Sequence, residues 1–384
     1  MWDVVVAGAG PAGAVAAYVL ARRGRRVLLA DACDAGSLKI GEALPGAAVR
    51  LLRSIDLPAP NRDGPHTPIG GNLSSWNSDQ LVATDFIREP DGPGWRLDRL
   101  RFDANLRAEA IRSGAGYRPA RVMDVERRDA SWVIQFEDDS TEVAQWIVDA
   151  TGRRASIARR LGAKRLRDAR LIALYAIGAS VASFRLNRTI IEAVPRGWWY
   201  TARLPSGQPI AGIHTHAREA VRLTSDAHGW RLALAETCNV GPMLADAVFD
   251  RPLKPLEACG AQLDHFGGDG WLACGDAALS FDPISGQGIF SALYGGMMAG
   301  RAISDTLNGG KARLNEYSKR LENVRRLYVA RSRAIYRSER RWITEPFWSI
   351  FSKEIELSRV ERGLHRGPSV IIPTTRIRSA ATFS

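Results

Sequence analysis

Three glycines constrain this chain more than any other feature. Gly8, Gly10 and Gly13 are spaced G-x-G-x-x-G behind the apolar run 4–7, which has the length of a buried parallel strand. Residues 12–23 are rich in helix formers, and Gly24 stands where a helix C-cap belongs. The run 27–30 is a second apolar strand, and Asp31 ends it. Strand, glycine turn, helix, strand and acid within about thirty residues form the context of a dinucleotide-binding βαβ unit. There Gly8 makes the tight turn, Gly10 lets a pyrophosphate approach the backbone, and Gly13 lets helix and strand pack closely. The helix N-terminus, from Ala12, offers free N–H groups and positive dipole charge to the pyrophosphate. Asp31 is placed to accept hydrogen bonds from the adenosine ribose, which argues for FAD or NAD over NADP.

A second stretch decides between the two. Trp271-Leu-Ala-Cys-Gly275-Asp276 reads as a buried strand ending in an acid. Asp282-Pro283-Ile-Ser285-Gly286-Gln287-Gly288 follows, and then a small-residue, apolar helix over 289–303. This stretch resembles the second FAD motif of the flavin monooxygenases related to para-hydroxybenzoate hydroxylase and the tryptophan halogenases. The resemblance implies Asp276 on the ribityl chain, Pro283 beside the isoalloxazine, and a turn at Gly286 and Gly288 that aims a helix N-terminus at the pyrimidine edge. The physics agrees, because reduced flavin carries negative charge near N1 and the C2 carbonyl that a helix N-terminus stabilises. An NAD enzyme has no use for this second element, so the expected cofactor is FAD.

Further segments resemble the same family. Lys39-Ile40-Gly41-Glu42-Ala43-Leu44-Pro45 is similar to the G-E-x-x-P segment of halogenase-like flavoproteins, which lies close to the flavin. Glu42 is read both as a capping acid and as an active-site, catalytic candidate. Leu97-Asp98-Arg99-x-x-Phe102 resembles a family helix entry whose Arg helps hold the FAD phosphates. From the residues alone it is a helix N-terminal box with Asp98 as cap. Strands at 121–127, 131–137 and 141–148, with a turn at Asp138-Asp139, lead to Asp149-Ala150-Thr151-Gly152, which resembles the third family motif. The expected cofactor-binding set is therefore Gly8, Gly10, Ala12, Gly13, Asp31, Glu42, Arg99, Val122, Thr151, Gly152, Asp276, Pro283, Gly286 and Gly288.

The three motifs stand in the family's order and span nearly the whole chain. They imply an α/β fold with a glutathione-reductase-type FAD-binding Rossmann domain over residues 1–60, 95–165 and 266–310. A substrate domain over 61–94 and 166–265 forms an interleaved, mainly antiparallel sheet over the flavin, and 311–384 is a C-terminal helical region. Strand character is found at 81–87, 171–183, 189–194, 198–202, 209–214 and 258–265. Helices are expected at 47–55, 101–113, 225–238 with Ser225 as N-cap, 311–338 and 342–356, with a tail at 366–384 that wraps or frays.

The chain has 384 residues, with 45% apolar and 24% charged, ordinary for a globular protein. No run reaches about eighteen apolar residues, so no membrane span is expected. Met1-Trp-Asp leads directly into the first strand, leaving no room for a signal peptide. Cys33, Cys238, Cys259 and Cys274 include no C-x-x-C pair, so free thiols in a cytoplasmic location are expected. The net charge of +12 reads either as an Arg-rich surface that also complements FAD phosphates or as an electropositive face for an acidic partner protein. No nucleic-acid module is visible. His214 and His216 share one strand face, but no further ligands stand near them in sequence, so no metal is expected.

The string Ile191-Glu192-Ala-Val-Pro195-Arg-Gly197-Trp198-Trp199-Tyr200-Thr-Ala-Arg-Leu204-Pro205 narrows the resemblance. It looks like the tryptophan-halogenase-like branch that matures quinone cofactors in other proteins, including the partners of lysine and glycine oxidases and of quinohaemoprotein amine dehydrogenase. The implied activity is oxygenation of a tryptophan side chain in a partner protein, toward cysteine tryptophylquinone, by an FAD-dependent monooxygenase working through a flavin C4a-hydroperoxide. True flavin halogenases carry W-x-W-x-I-P, which is broken here, and a lysine some tens of residues after G-E-x-x-P. Between Glu42 and Phe102 this chain has no lysine. Trp199 and Pro283 are expected in the substrate pocket, and the bland alternative for Trp198 and Trp199 is strand alternation, one in and one out. The competing functions are a small-molecule aromatic hydroxylase of natural-product biosynthesis and, in another class, a non-catalytic FAD scaffold or redox sensor. No second glycine fingerprint is present, so the reductant is NAD(P)H acting directly or reduced flavin from a partner flavin reductase.

Overall fold

In the computed structural model the opening apolar run becomes the middle of an eight-stranded sheet. The model describes residues 1–32, 39–86, 89–179, 185–225, 228–249, 255–310 and 312–352. Cys33, Lys311 and the tail 366–384 lie outside them. Trp2–Ala7 runs parallel to Val27–Ala30 on one side and to Thr141–Asp149 on the other, and Gly116–Arg118 and Trp271–Ala273 extend the parallel set. Val4, Val5 and Val6 are wholly buried, as a parallel strand covered on both faces requires. Gly267–Gly268 and the meander Val122–Arg128, Ser131–Phe136 complete the sheet. The turn between the last two meander strands holds Asp139 at φ +59°, a conformation that Asp tolerates.

Small residues set how the helices lie. Pro11–Arg22 packs along Gly288–Leu307. A Cβ on Gly296 would lie 2.1 Å from the Ala12 carbonyl oxygen, and one on Gly300 would lie 3.0 Å from that of Ala16. Only glycine permits this approach, and it sets the start of the first helix against the middle of the second. Arg99–Arg112 packs on the first helix, and its cap is Asp98, whose carboxylate accepts from the Arg101 N–H at 3.1 Å.

The second sheet has seven strands in the order Leu256–Glu257, Ile172–Ile177, Pro209–Thr215, Gly197–Arg203, Arg188–Val194, Gly71–Ser75, Val82–Asp85. All neighbours are antiparallel except Arg188–Val194 and Gly71–Ser75, which are parallel. Two three-stranded sheets join the large ones: Ala43–Leu44 with Gly94–Arg96 and Thr67–Ile69, and Arg165–Arg167 with Ala261–Leu263 and Leu279–Ser280.

Three expectations are corrected. The helix over 225–238 is replaced by Ala217–Ser225 and Gly229–Ala235. Ser225 closes the first of these instead of capping the second, and its hydroxyl donates to the Arg222 carbonyl at 2.9 Å. The chain enters that helix at His216, whose Nδ1 accepts from the Glu219 N–H at 3.3 Å. The strand over 258–265 is shortened to Ala261–Leu263, and the separate strand Leu256–Glu257 before it pairs in another sheet. The break falls at Gly260, where a Cβ would lie 2.3 Å from the Asp168 carboxylate and 2.4 Å from the Tyr328 hydroxyl. The last helix begins at Pro346, not at 342, in keeping with proline's preference for the first helical turn. Among the described residues no helix is long and apolar enough to cross a membrane.

Candidate active site

A cavity of about 640 Å³ lies between the two large sheets, within the range of small-molecule and cofactor sites. The parallel-sheet side contributes its glycine turn and the turn before Gly288–Leu307. The seven-stranded sheet contributes Ala173, Tyr175, Thr189, Ile191, Trp198, Tyr200 and His214.

Each glycine of the first turn has a geometric reason. Gly8 sits at φ +105°, and a Cβ there would lie 2.3 Å from the Ala150 carbonyl oxygen. A Cβ on Gly13 would lie 1.8 Å from the Gly8 carbonyl oxygen. Gly10 lines the cavity, and its Cβ would meet no protein atom within 4 Å. Its open side therefore faces a space where a ligand backbone fits. Gly10 and Gln287 precede the two long helices without any side-chain capping bond, so N-terminal N–H groups of both are left for a ligand.

The expected cofactor residues divide into two groups. Gly10, Ala12, Glu42, Arg99, Gly152, Asp276, Pro283, Gly286 and Gly288 line the cavity. Gly8, Gly13, Asp31 and Thr151 stand behind it and shape its turns. Asp31 accepts from the Ala9 N–H at 2.9 Å. Thr151 donates to Asp149 at 2.6 Å and accepts from the Ser156 N–H at 2.8 Å. Val122 begins a strand of the meander and does not line the cavity. Arg99 holds the segment before Glu42, donating to the Gly41 carbonyl at 2.6 Å and the Ile40 carbonyl at 3.1 Å. Arg153 lies 3.6 Å from Asp276 and donates to the carbonyls of Cys259 and Phe281.

Trp199 is a correction. It lies on the opposite face of its strand, fully buried against Trp230 with ring centroids 5.3 Å apart. Strand alternation places Trp198, not Trp199, in the cavity wall. Trp198 pairs across the sheet with His214, and the two rings stack at 3.6 Å with 5° between their planes. The His214 Nε2 lies 2.8 Å from the Tyr175 hydroxyl. Burial pushes His214 down to about 3, so it is neutral. Burial, with Glu42 and Asp282 adding to it, pushes the Tyr175 phenol up.

Glu42 is engaged on both oxygens. Oε1 accepts from Arg96 at 3.2 Å and from the Tyr200 hydroxyl, and Oε2 accepts from the Gly41 N–H at 3.2 Å. Arg96 also donates to Tyr200 at 3.0 Å and to Thr189 at 2.9 Å. Burial lowers the Arg96 guanidinium, and Glu42 works against that shift. Nearby, Asp282 caps the short turn Pro283–Ser285, accepting from the Ile284 N–H at 2.9 Å and from the Tyr336 hydroxyl at 2.7 Å. Burial pushes its carboxyl up to about 6. Arg96, Tyr175, Tyr200 and His214 were not singled out from the sequence as site residues. The only signal was the period-2 face shared by Trp198 and Tyr200 on one strand. Among the described residues no three His, Cys, Asp or Glu side chains converge as metal ligands.

No family model matches the chain. LodB of Marinomonas mediterranea, which is named as an FAD-dependent oxidoreductase, is 28% identical over 361 residues, covering 90% of this chain and 96% of LodB. The myxobacterial chondrochloren halogenase CndH superposes with a TM-score of 0.81 at 23% identity, covering 91% of this chain and 85% of that one. QhpG, described as a peptidyl tryptophan dihydroxylase essential for tryptophylquinone cofactor biogenesis, superposes with a TM-score of 0.70 at 26% identity, covering 91% of this chain and 78% of that one. In sequence and in fold the chain is similar to the flavin-dependent-halogenase-like FAD oxidoreductases.

This halogenase-like flavoenzyme has a donor set that suits FAD. The open side of Gly10 and the N–H groups behind it suit the pyrophosphate. Asp276, with its side chain about one-third exposed and lining the cavity, suits a hydroxylated chain. Gly286, at φ +61°, and Gly288 would each carry a Cβ into open space, so the second helix N-terminus is accessible to a flat ring beside Pro283.

Proposed function

We propose that this flavoenzyme is an FAD-dependent monooxygenase that hydroxylates an aromatic ring, namely a tryptophan side chain of a partner protein, in the biogenesis of a quinone cofactor. The observation that carries the reading is the substrate side of the cavity. Trp198, Tyr175, Tyr200 and His214 make an aromatic wall, and the buried Arg96 beside it is matched by Glu42. Such a wall suits a flat, neutral, electron-rich ring, through stacking and edge contacts. Among the described residues no lysine lines the cavity, which supports oxygen transfer over halogenation. The likeness to QhpG supports tryptophan in a protein as the substrate.

The flavin, when bound, supplies the electrons that activate dioxygen, drawn from NAD(P)H or from a partner flavin reductase. The chain's own residues do the rest. The two helix N-termini and Asp276 hold the cofactor. Trp198 and Tyr175 orient the ring, and the two sheets exclude water from between ring and flavin. The charge of +12 supports docking of an acidic partner surface, for which association is steered by charge and weakened by salt.

The test compares turnover on a tryptophan-bearing protein encoded beside this chain with turnover on free tryptophan and a panel of indoles and phenols, at low and high salt. Preference for the protein, lost at high salt, is expected. Efficient, salt-insensitive turnover of a small aromatic would replace the protein substrate with a small-molecule one.

A further inference from the structure

We propose that Tyr175, backed by His214, is the proton acceptor of the hydroxylation. The inference rests on the hydroxylase reading above and adds a catalytic group to it.

The pair is built into the sheet. Tyr175 on Ile172–Ile177 pairs with Gly212 on the antiparallel neighbour Pro209–Thr215, and His214 is two residues further along that strand, on the same face. A Cβ on Gly212 would lie 2.3 Å from Cδ1 of Tyr175, so glycine is what lets the phenol lie across the neighbouring strand and reach His214 Nε2 at 2.8 Å. His214 cannot turn away, because it lies flat on Trp198. Trp198 is pinned in turn, its indole N–H donating to Tyr336 at 3.0 Å and Tyr336 donating to Asp282 at 2.7 Å. Tyr175, His214 and Trp198 all line the cavity. The binding of a flat ring accounts for the aromatic faces of this wall and leaves the hydrogen bond between the Tyr175 hydroxyl and His214 Nε2 without a task.

The reaction needs such a group. When an electrophilic oxygen adds to an aromatic carbon, the ring becomes a cationic adduct. The C–H bond at that carbon must then break, its electron pair restoring aromaticity. The proton passes to the Tyr175 oxygen while the Tyr175 proton passes to His214 Nε2. Dioxygen is the oxidant, and NAD(P)H or reduced flavin supplies two electrons. The second oxygen atom takes that proton back through Tyr175, takes a second proton delivered with the reductant's electrons and leaves as water, so that ring, dioxygen, two electrons and two protons give hydroxylated ring and water. The adduct is a strong acid, so a weak base suffices. A neutral imidazole buried at 1% exposure is free to accept at every turnover. The charged groups around Tyr175 are Glu42, Asp282 and Arg153, and Glu42 and Asp282 are already engaged by Arg96 and Tyr336.

The experiment uses the FAD-loaded enzyme, a reductant and a peptide carrying tryptophan with or without ring deuterium. Wild type is expected to show no isotope effect on kcat for hydroxylated product. Tyr175→Phe, which removes one oxygen atom, is expected to lower kcat roughly a hundredfold, to leave KM unchanged and to bring out a primary ring-deuterium isotope effect. His214→Gln, which keeps a hydrogen-bonding group beside the phenol, is expected to fall between. Flavin content and thermal unfolding are read on each variant, and Tyr175→Phe alone carries the test if His214→Gln does not fold. Wild-type kcat without an isotope effect in flavin-loaded Tyr175→Phe overturns the proposal and leaves the hydroxylase reading standing. A wild type that hydroxylates no aromatic ring overturns both.

Discussion

Arg96 and Glu42 form an ion pair whose side chains are 3% and 4% exposed, with Nη1 3.2 Å from Oε1. The pair joins the segment before Gly46–Ser54 to the seven-stranded sheet, because Thr189 and Tyr200 bind the same two groups. Removing one partner leaves the other charged in a low dielectric. Arg96→Leu is expected to cost about 3–5 kcal/mol in urea unfolding. Arg128→Ala, which breaks an exposed pair with Glu126, is expected to leave the midpoint where it is.

Gly10 and Gly13 separate cofactor binding from folding. Gly10→Val adds atoms only to the cavity side, so the variant is expected to fold and to purify without yellow colour. Gly13→Ala drives a methyl into the Gly8 carbonyl oxygen, and the βα unit must open to admit it. A low yield of soluble protein is expected there, read beside flavin absorbance and thermal unfolding. A Gly10→Val protein with stoichiometric flavin would remove this turn from the binding site.

Trp198 and Trp199 are neighbours with different tasks. Trp199→Ala is expected to cost about 3–5 kcal/mol, the usual range for a buried aromatic, with kcat per folded molecule unchanged. Trp198→Phe keeps a ring in the wall but loses the bond to Tyr336, and it is expected to raise KM for the aromatic substrate with little loss of stability. Unfolding curves and steady-state kinetics on both variants check the division.

Two buried groups give opposite pH slopes. Asp282 titrates near 6 in the folded chain against an ordinary value of 3.8. Between those values the folded state holds a proton that the unfolded state has lost, so this group's contribution falls as pH rises from 3.8 to 6. His214 titrates near 3 against an ordinary 6.5. Its contribution is complete above 6.5 and is lost as pH falls toward 3. Asp282→Asn is expected to gain stability relative to wild type as pH rises from 4 to 6, and His214→Gln to gain as pH falls from 6.5 to 4. Urea unfolding across pH 4–7 reads both slopes.

The cofactor side was legible in the sequence because a pyrophosphate constrains backbone. Gly8 needs its φ of +105°, Gly13 faces the Gly8 carbonyl of the same turn, and Gly10 keeps the cavity side open, so all three leave their mark within one short stretch of sequence. The substrate side was not legible in the same way. Tyr175, His214 and Arg96 come from strands far apart in sequence, and each alone reads as an ordinary strand residue. Only cross-strand pairing, Tyr175 with Gly212 and Trp198 with His214, makes a site of them. Period-2 alternation separated Trp198 from Trp199, but packing against Trp230 decides which faces the core. Ser225 was misread for a related reason. Its capping chemistry suits either end of a short break, and His216 and Glu219 settle the helix that precedes it.

The central claim is that dioxygen's oxygen atom, and no halogen, is placed on an aromatic ring. Reduced, FAD-loaded enzyme is mixed with oxygen-18 gas and a tryptophan-containing peptide in the presence of bromide, and the product is weighed by mass spectrometry. The account predicts a mass gain matching oxygen-18 on the tryptophan ring and no brominated product. A bromine isotope pattern on the peptide, or oxygen drawn from water instead of the labelled gas, would contradict it.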